Sequence, residues 1–315
     1  MRLLLIVNTS ASSVTARARV VIQKSLSADH EVTLAETSRR GHATRLAQGA
    51  AAKGMDAVVV LGGDGTLNEA ANGLAGTYCA LGVLPGGSTN VFARTIGMTN
   101  DPIEATGELL AALGEGRGGV RTVGLGAVNG RRFLFHVGVG FDAEVVAQVE
   151  RRSAVKRYLG HAFFAYAAVG TWARRYDRRH PHFSIVLRQR DGTTVEIENG
   201  YFAILLKTNP YTFLGERSFD VAPRTGLDTP LSAIVLRSVG AVTLMNLVVA
   251  ALRRNEGLEG RRKVSVVEDV VEAVVTARPP RGDEAYQVDG DYLGRAARLD
   301  FRWEPESLRL IVPHR

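Results

Sequence analysis

The residues best suited to chemistry lie in two glycine-rich stretches, each directly after an apolar run. The first reads Val58-Val59-Val60-Leu61-Gly62-Gly63-Asp64-Gly65-Thr66-Leu67-Asn68-Glu69. Glycines at the end of a buried parallel strand let backbone N–H groups approach an anion closely, and the N-terminus of the following helix adds partial positive charge. A carboxylate among those N–H groups would repel a bound phosphate, so Asp64 makes sense where a metal ion or a nucleophile's proton also sits. The second stretch is Leu84-Pro85-Gly86-Gly87-Ser88-Thr89-Asn90-Val91-Phe92-Ala93-Arg94. It follows the next strand of the same parallel sheet, so both loops should face one crevice. Thr89 and Asn90 can exchange hydrogen bonds there, and Arg94 can pair with a phosphate. The chain has no Gly-x-x-x-x-Gly-Lys-Ser/Thr run and no Gly-x-Gly-x-x-Gly after Val7, which argues against a P-loop enzyme and a dinucleotide dehydrogenase.

Other residue types offer no rival chemistry. His180 and His182 lie two residues apart with no cysteine or carboxylate evident as a further ligand, so a zinc site is not expected. His136 sits in an apolar run and reads as a core residue. No Gly-x-Ser-x-Gly elbow is present, which leaves a serine hydrolase unsupported.

The elements that must position the two loops alternate in type over the first 120 or so residues. Leu3–Val7, Asp56–Leu61 and Ala80–Leu84 are short continuous apolar runs, as in strands buried on both faces. Val14–Leu26 is compatible with a helix. Thr66 with Glu69 three residues on predicts a capping box, and Asp101-Pro102-Ile103-Glu104 predicts a helix start. This pattern predicts a doubly wound α/β domain over residues 1–122, ending near the cluster Gly114, Gly116, Gly118 and Gly119. From residue 123 to 315 short alternating segments and the turns Asn129-Gly130 and Asp191-Gly192 predict an antiparallel, β-sandwich-like domain with a helical insertion at 143–179.

The 315 residues are 45% hydrophobic and 23% charged, which excludes disordered and fibrous classes. One cysteine, Cys79, precludes an internal disulfide and suits a reducing cytosol. Neither a signal peptide nor a membrane-spanning run is evident. The net charge of +7 is uneven: Arg151 to His180 holds eight basic residues against the single acid Asp177, interleaved with aromatics such as Phe163, Tyr166 and Trp172. That segment fits attraction to an anionic membrane surface, or an ordinary helix with a solvated basic face.

In these motifs the chain resembles the diacylglycerol kinase catalytic family, in particular the bacterial soluble lipid kinases related to the sphingosine kinases. Gly62–Thr66 with Asn68-Glu69 resembles the family's nucleotide motif, and Leu84–Arg94 its second loop. Gly138-Val139-Gly140-Phe141-Asp142-Ala143 and Val288-Asp289-Gly290-Asp291 resemble later motifs, with Gly160, Ala165-Tyr166 and Ala222-Pro223 between them. The resemblance implies transfer of the γ-phosphoryl group of ATP, with Mg2+, to a lipid hydroxyl, diacylglycerol giving phosphatidic acid. It places Asn8, Thr37, Gly62, Gly63, Asp64, Gly65, Thr66, Asn68, Gly86, Gly87, Thr89 and Asn90 around the nucleotide, and Asp142 and Arg94 toward the lipid substrate. Asp64, Asp289 and Asp291 are the catalytic carboxylates it implies. Either Asp64 or Asp291 could take the alcohol's proton, because a positioned carboxylate suffices. Asp289-Gly290 also reads as a hairpin turn with a solvated acid.

The chain departs from the family pattern in several places. Asn8-Thr9-Ser10-Ala11-Ser12 lacks the usual proline and glycine, Asp291 replaces a glutamate, and His42 replaces a common aspartate. Leu227-Asp228-Thr229-Pro230 has one carboxylate fewer than the family's structural Mg2+ loop, which puts metal binding at Asp228 in doubt. Two alternatives remain open: a small-molecule kinase resembling the NAD kinases, and a non-catalytic lipid- or nucleotide-binding protein. The expected setting is cytoplasmic and peripheral to a membrane, without nucleic acid, and a homodimer stays open.

Overall fold

The computed structural model describes residues 1–114, 119–150, 176–252, 258–280 and 282–313. It is a mixed α/β structure that divides into two units, Met1–Leu125 with Glu304–Arg315, and Gly126–Trp303. The expected boundary at residue 122 falls inside strand β5 (Val120–Val128), and residues 304–315, expected in the second domain, lie in the first unit. The reason is strand β17 (Arg298–Ile311): its first residues pair with strand β14 (Val264–Ala277), while Leu310 pairs with Leu81.

In the first unit β1 (Arg2–Val7), β2 (Glu31–Glu36), β3 (Ala57–Gly62) and β4 (Ala80–Pro85) are parallel, in the order β2-β1-β3-β4, with the end of β17 parallel beside β4. Every residue of β3 and β4 is buried, which their unbroken Val/Leu/Ala runs require; β2, at the edge, alternates. Five helices accompany the sheet: α1 (Ala16–Asp29), α2 (His42–Ala52), α3 (Asp64–Leu74), α4 (Val91–Thr95) and α5 (Pro102–Gly114). α1 packs on α5, and α2 on α3. A Cβ at Gly73 would lie 2.5 Å from the Thr44 carbonyl oxygen, so glycine permits the α2–α3 approach. Asp101 caps α5 as expected, its Oδ1 accepting from Ile103 and Glu104 at 2.8 and 3.0 Å.

The expected capping box on α3 does not form. The helix begins at Asp64 with Gly63 as its cap residue, and Glu69 reaches across to α2, accepting from the N–H groups of Gly41 (2.7 Å) and Ala43 (3.1 Å). The glycine turn starts the helix earlier than the Thr66 pattern suggests, and α2, whose own cap position is Gly41, needs a side-chain acceptor from elsewhere.

The second unit is antiparallel throughout its recorded pairings. β16 (Asp291–Ala296), β15 (Glu284–Val288), β7 (His136–Gly140), β10 (Phe202–Leu206), β13 (Leu231–Leu236), β14 and β17 follow in that order. β8 (Phe183–Gln189) joins β14 and carries β9 (Thr194–Gly200), while β5 pairs with β6 (Arg131–Phe133), and β11 (Thr212–Leu214) with β12 (Arg217–Phe219). Alternate residues of β10 and β13 feed two cores. Leu205, Ala233 and Val235 join Phe183 and Phe301 in one, and Ile204, Leu206, Ile234 and Leu236 join Leu247 and Ala250 of helix α7 (Ala241–Ala251) in the other. Asn129-Gly130 and Asp289-Gly290 both take positive φ (46° and 84°, 48° and 81°), the conformation of two-residue hairpin turns. Of the expected insertion at 143–179, helix α6 (Phe141–Glu150) covers the start, and residues 151–175, with most of the basic aromatic segment, lie outside the described residues.

Candidate active site

The ends of β1, β3 and β4 bring three loops together in the first unit, beside the point where the strand order reverses between β1 and β3. Ligands of open α/β sheets bind at such a point, outside the carboxyl ends of the strands. The two glycine loops touch backbone to backbone. Gly86 donates its N–H to the Gly62 carbonyl at 2.9 Å, and a Cβ on Gly86 would lie 2.8 Å from Gly62 main-chain atoms. A Cβ on Gly87 would lie 2.9 Å from the Gly63 Cα. Only glycine allows this contact, and it sets the two loops against each other beside the half-buried start of α3.

The first loop, without proline or glycine, is held by hydrogen bonds instead. Asn8 Nδ2 donates to Thr66 Oγ1 at 2.8 Å, and Asn8 Oδ1 accepts from the Ser10 N–H at 3.0 Å. Ser13 donates its N–H to the Gly86 carbonyl at 2.9 Å and its Oγ to the Gly87 carbonyl at 3.0 Å. Thr37 donates its N–H to Val7, one residue before Asn8. Asn90 takes a left-handed conformation (φ 49°) and ties its own loop shut, accepting from the Gly87 N–H at 2.7 Å. These bonds join the Asn8 loop to the Gly62–Thr66 and Gly86–Asn90 loops at the strand ends, with Thr37 following the neighbouring strand β2. Asn68 lies deeper, buried one turn into α3, where its carbonyls meet the Asn72 amide.

Asp64 faces the second loop. Its two carboxylate oxygens accept from the N–H groups of Val91 (3.0 Å) and Phe92 (3.1 Å), so it anchors α4, the helix that bears Arg94.

The three other carboxylates belong to the second unit. Asp289 is buried, and it accepts from three N–H groups, those of Leu134 (2.8 Å), Phe135 (3.0 Å) and His136 (3.1 Å). This corrects the alternative of a solvated turn acid: the Asp289 oxygens hold the strand entry to β7. Asp291, two residues on, is half-buried at the start of β16 with Arg131 at 3.9 Å. Gln287, which sequence reading passed over, bridges this turn to Asp142. It accepts from the Gly290 N–H at 2.8 Å and donates to Asp142 Oδ2 at 2.7 Å. Tyr211 donates to the other Asp142 oxygen. Burial pushes the Asp142 pKa up, and the Tyr211 and Gln287 hydrogen bonds oppose that shift; burial and the neighbouring carboxylate push Tyr211 well up. Gly138 makes the room, since a Cβ there would lie 2.0 Å from Asp142 Oδ2. His136, its ring centroid 4.4 Å from that of Tyr211 and tilted by 39°, is a buried residue as expected, its pKa lowered to about 3 by burial, but its Nδ1 has no hydrogen-bond partner among the described residues.

The loop at Asp228 does not fit a divalent ion. The buried Lys207 ammonium donates to the Gly226 carbonyl at 2.9 Å and the Leu227 carbonyl at 3.0 Å, with the Asp228 charge nearby. A fixed cation thus already satisfies the oxygens that a metal would need, and among the described residues no group of three or more His, Cys, Asp or Glu is placed to hold a metal. His182, read as having no carboxylate beside it, in fact forms a buried pair with Glu284 at 2.8 Å, and its other nitrogen meets the Asp177 carbonyl at 2.8 Å. The partner lies 102 residues away in sequence, so spacing carried no sign of it.

Residues 2–117 match the diacylglycerol kinase catalytic domain. The chain is 38% identical over 142 residues to a diacylglycerol kinase of Bacillus subtilis (strain 168), covering 44% of this chain and 45% of that protein. It is 36% identical over 164 residues to a "Probable lipid kinase YegS-like" of Pseudomonas aeruginosa (strain UCBPP-PA14), 51% of each. The chain spans about half the length of the curated relatives it matches. A crystal structure of a diacylglycerol kinase from Bacillus anthracis (strain Sterne) shares the fold, with a TM-score of 0.74 over 99% of this chain and 96% of the other at 22% identity.

Proposed function

We propose that this chain, whose residues 2–117 are related to the diacylglycerol kinase catalytic domain, is a lipid kinase that moves the γ-phosphoryl group of ATP to a lipid hydroxyl. The observation that carries the reading is the backbone contact between the Gly62-Gly63 and Gly86-Gly87 loops beside the start of α3, since glycine loops at a helix N-terminus suit a phosphate. Diacylglycerol is the proposed acceptor and phosphatidic acid the product.

In this reading Asn8, Thr37, Thr66, Asn68, Thr89, Asn90 and the glycines Gly62, Gly63, Gly65, Gly86 and Gly87 hold the nucleotide, and Arg94 pairs with a phosphate. Mg2+ would be held by the phosphate oxygens with the Asp64 carboxylate beside them, and it would neutralise charge on the transferred group. Asp64 otherwise fixes α4 and so the position of Arg94. Asp142, held by Tyr211 and Gln287, accepts a hydrogen bond from the lipid head group. The lipid oxygen attacks the γ-phosphorus, the bond to the ADP oxygen breaks, and Asp291 takes the hydroxyl proton. Asp291 is favoured because the Asp289 carboxylate is buried against three N–H groups of the strand entry and Asp64 anchors α4. The enzyme works on the surface of an anionic membrane; no helix among the described residues is long and apolar enough to cross one.

The test is product mass. Incubation with Mg2+, ATP and diacylglycerol in mixed micelles should give phosphatidic acid, and Asp291→Asn should cut it about a hundredfold or more with the melting temperature within about 3 °C of wild type. ADP-free mixtures and unaltered diacylglycerol from folded, ATP-binding protein would refute the reading.

A further inference from the structure

Helix α7 has two polar residues, Thr243 and Asn246, and is otherwise apolar, a composition more common in buried helices. Its inner side is accounted for: Leu247, Ala250 and Ala251 are buried in the core with Leu236 and Val239. Its outer side is not. Val242 is 75% exposed, Met245 67%, Val249 47% and Val248 43%, a stripe at helical spacing that no other described residue covers. These four are among the most exposed large apolar side chains of the described residues, and they lie on one helix.

The charges around the stripe select its partner. No ionisable residue occurs between Val239 and Leu252 in the sequence, whereas among the described residues Arg237, Arg261, Arg262 and Lys263 flank it against one acid, Glu259. The Arg237 N–H bonds to the Lys263 carbonyl at 2.9 Å, which sets the basic residues Arg237, Arg262 and Lys263 within a few residues of the helix start. Arg237, Arg262 and Lys263 are all exposed. An apolar stripe bordered by cations matches an interface in which acyl chains lie beneath anionic head groups. A second protein copy would bring like charges together around the same stripe.

We infer that the outer face of α7 docks on an anionic bilayer, with Val242, Met245, Val248 and Val249 entering the acyl boundary. The inference deepens the lipid-kinase reading by naming the element that brings the enzyme to its substrate's membrane. Its test needs no catalysis. Wild-type protein, without ATP, is sedimented with sucrose-loaded vesicles of phosphatidylcholine and phosphatidylglycerol, beside Val242→Asp/Met245→Asp and Arg262→Glu/Lys263→Glu. Both variant pairs are exposed, so the melting temperature should hold. The aspartate pair should weaken partitioning at least about tenfold, and the glutamate pair should weaken it only on vesicles containing phosphatidylglycerol. Equal partitioning of wild type and the aspartate pair overturns the inference, as does failure of the wild type to sediment. Conversion of a dimer to a monomer by the aspartate pair, with partitioning unchanged, overturns it in favour of self-association. Partitioning that behaves as expected in a protein that phosphorylates no lipid would leave the docking face standing and remove the kinase reading.

Discussion

Replacing Asp289 by asparagine separates a residue that holds the fold from one that moves a proton. The carboxylate accepts from Leu134 at 2.8 Å through one oxygen, and from Phe135 and His136 at 3.0 and 3.1 Å through the other. Asparagine keeps one acceptor oxygen, so two of the bonds survive in weaker, uncharged form, each losing about 0.5–1 kcal/mol. Its amide then faces the Leu134 N–H donor to donor, and a charge-assisted bond of about 1.5–3 kcal/mol is lost. The sum is about 3–5 kcal/mol, or roughly 10 °C in melting temperature for a unit of this size. Asp291, half-buried with Arg131 at 3.9 Å, should behave oppositely. Asp291→Asn should shift the melting temperature by under about 3 °C and lower kcat by about a hundredfold or more. Thermal denaturation and initial rates measured on both variants decide it. An Asp289→Asn protein that melts like wild type yet has lost its activity, or an Asp291→Asn protein with full activity, would refute the assignment.

Four further outcomes follow from the same geometry. Gly86→Ala, whose Cβ would meet Gly62 main chain at 2.8 Å, should weaken ATP binding about tenfold or more by calorimetry, because the two loops must part. Gly138→Ala, with its Cβ 2.0 Å from Asp142 Oδ2, should raise KM for the lipid while leaving KM for ATP unchanged. Burial lowers the Lys207 pKa to about 8, below its unfolded value, so the unfolded chain binds the extra proton and stability should rise as pH goes from about 8 to 10. Urea melts should show a gain of up to about 3 kcal/mol that Lys207→Met lacks, and EDTA should leave the melting temperature unchanged. His136, held neutral with its pKa lowered to about 3, has a dependence of the same sign in a lower window: stability falls as pH drops below about 6.5. The loss should reach about 2 kcal/mol at pH 5 and disappear in His136→Leu.

The glycine loops were legible because local chain chemistry determines them. A buried run that breaks at Gly62-Gly63 or Gly86-Gly87 has few conformations open to it, and the following helix takes its start from the same residues. Asn129-Gly130 was legible for the same reason, since few residue pairs tolerate two positive φ values. What escaped were partnerships formed across long stretches of chain. Glu69 had the spacing of a cap for α3 but bonds to α2 from the neighbouring face. Asp289 had the spacing of a solvated turn acid, yet its three donors lie more than 150 residues upstream. Gln287 and Tyr211 gave no sign of their roles, because what matters in each is a single hydrogen bond to Asp142. Lys207 could be found only by asking which cation meets the Gly226 and Leu227 carbonyls.

Transfer of γ-labelled phosphate from ATP into a total lipid extract, run beside NAD and beside Asp291→Asn, tests the central claim most directly. The account predicts label in an organic-phase product, absent with the folded Asp291→Asn variant, and no label in the nicotinamide nucleotide. Label confined to a water-soluble product, or none at all from protein that binds ATP, would contradict it.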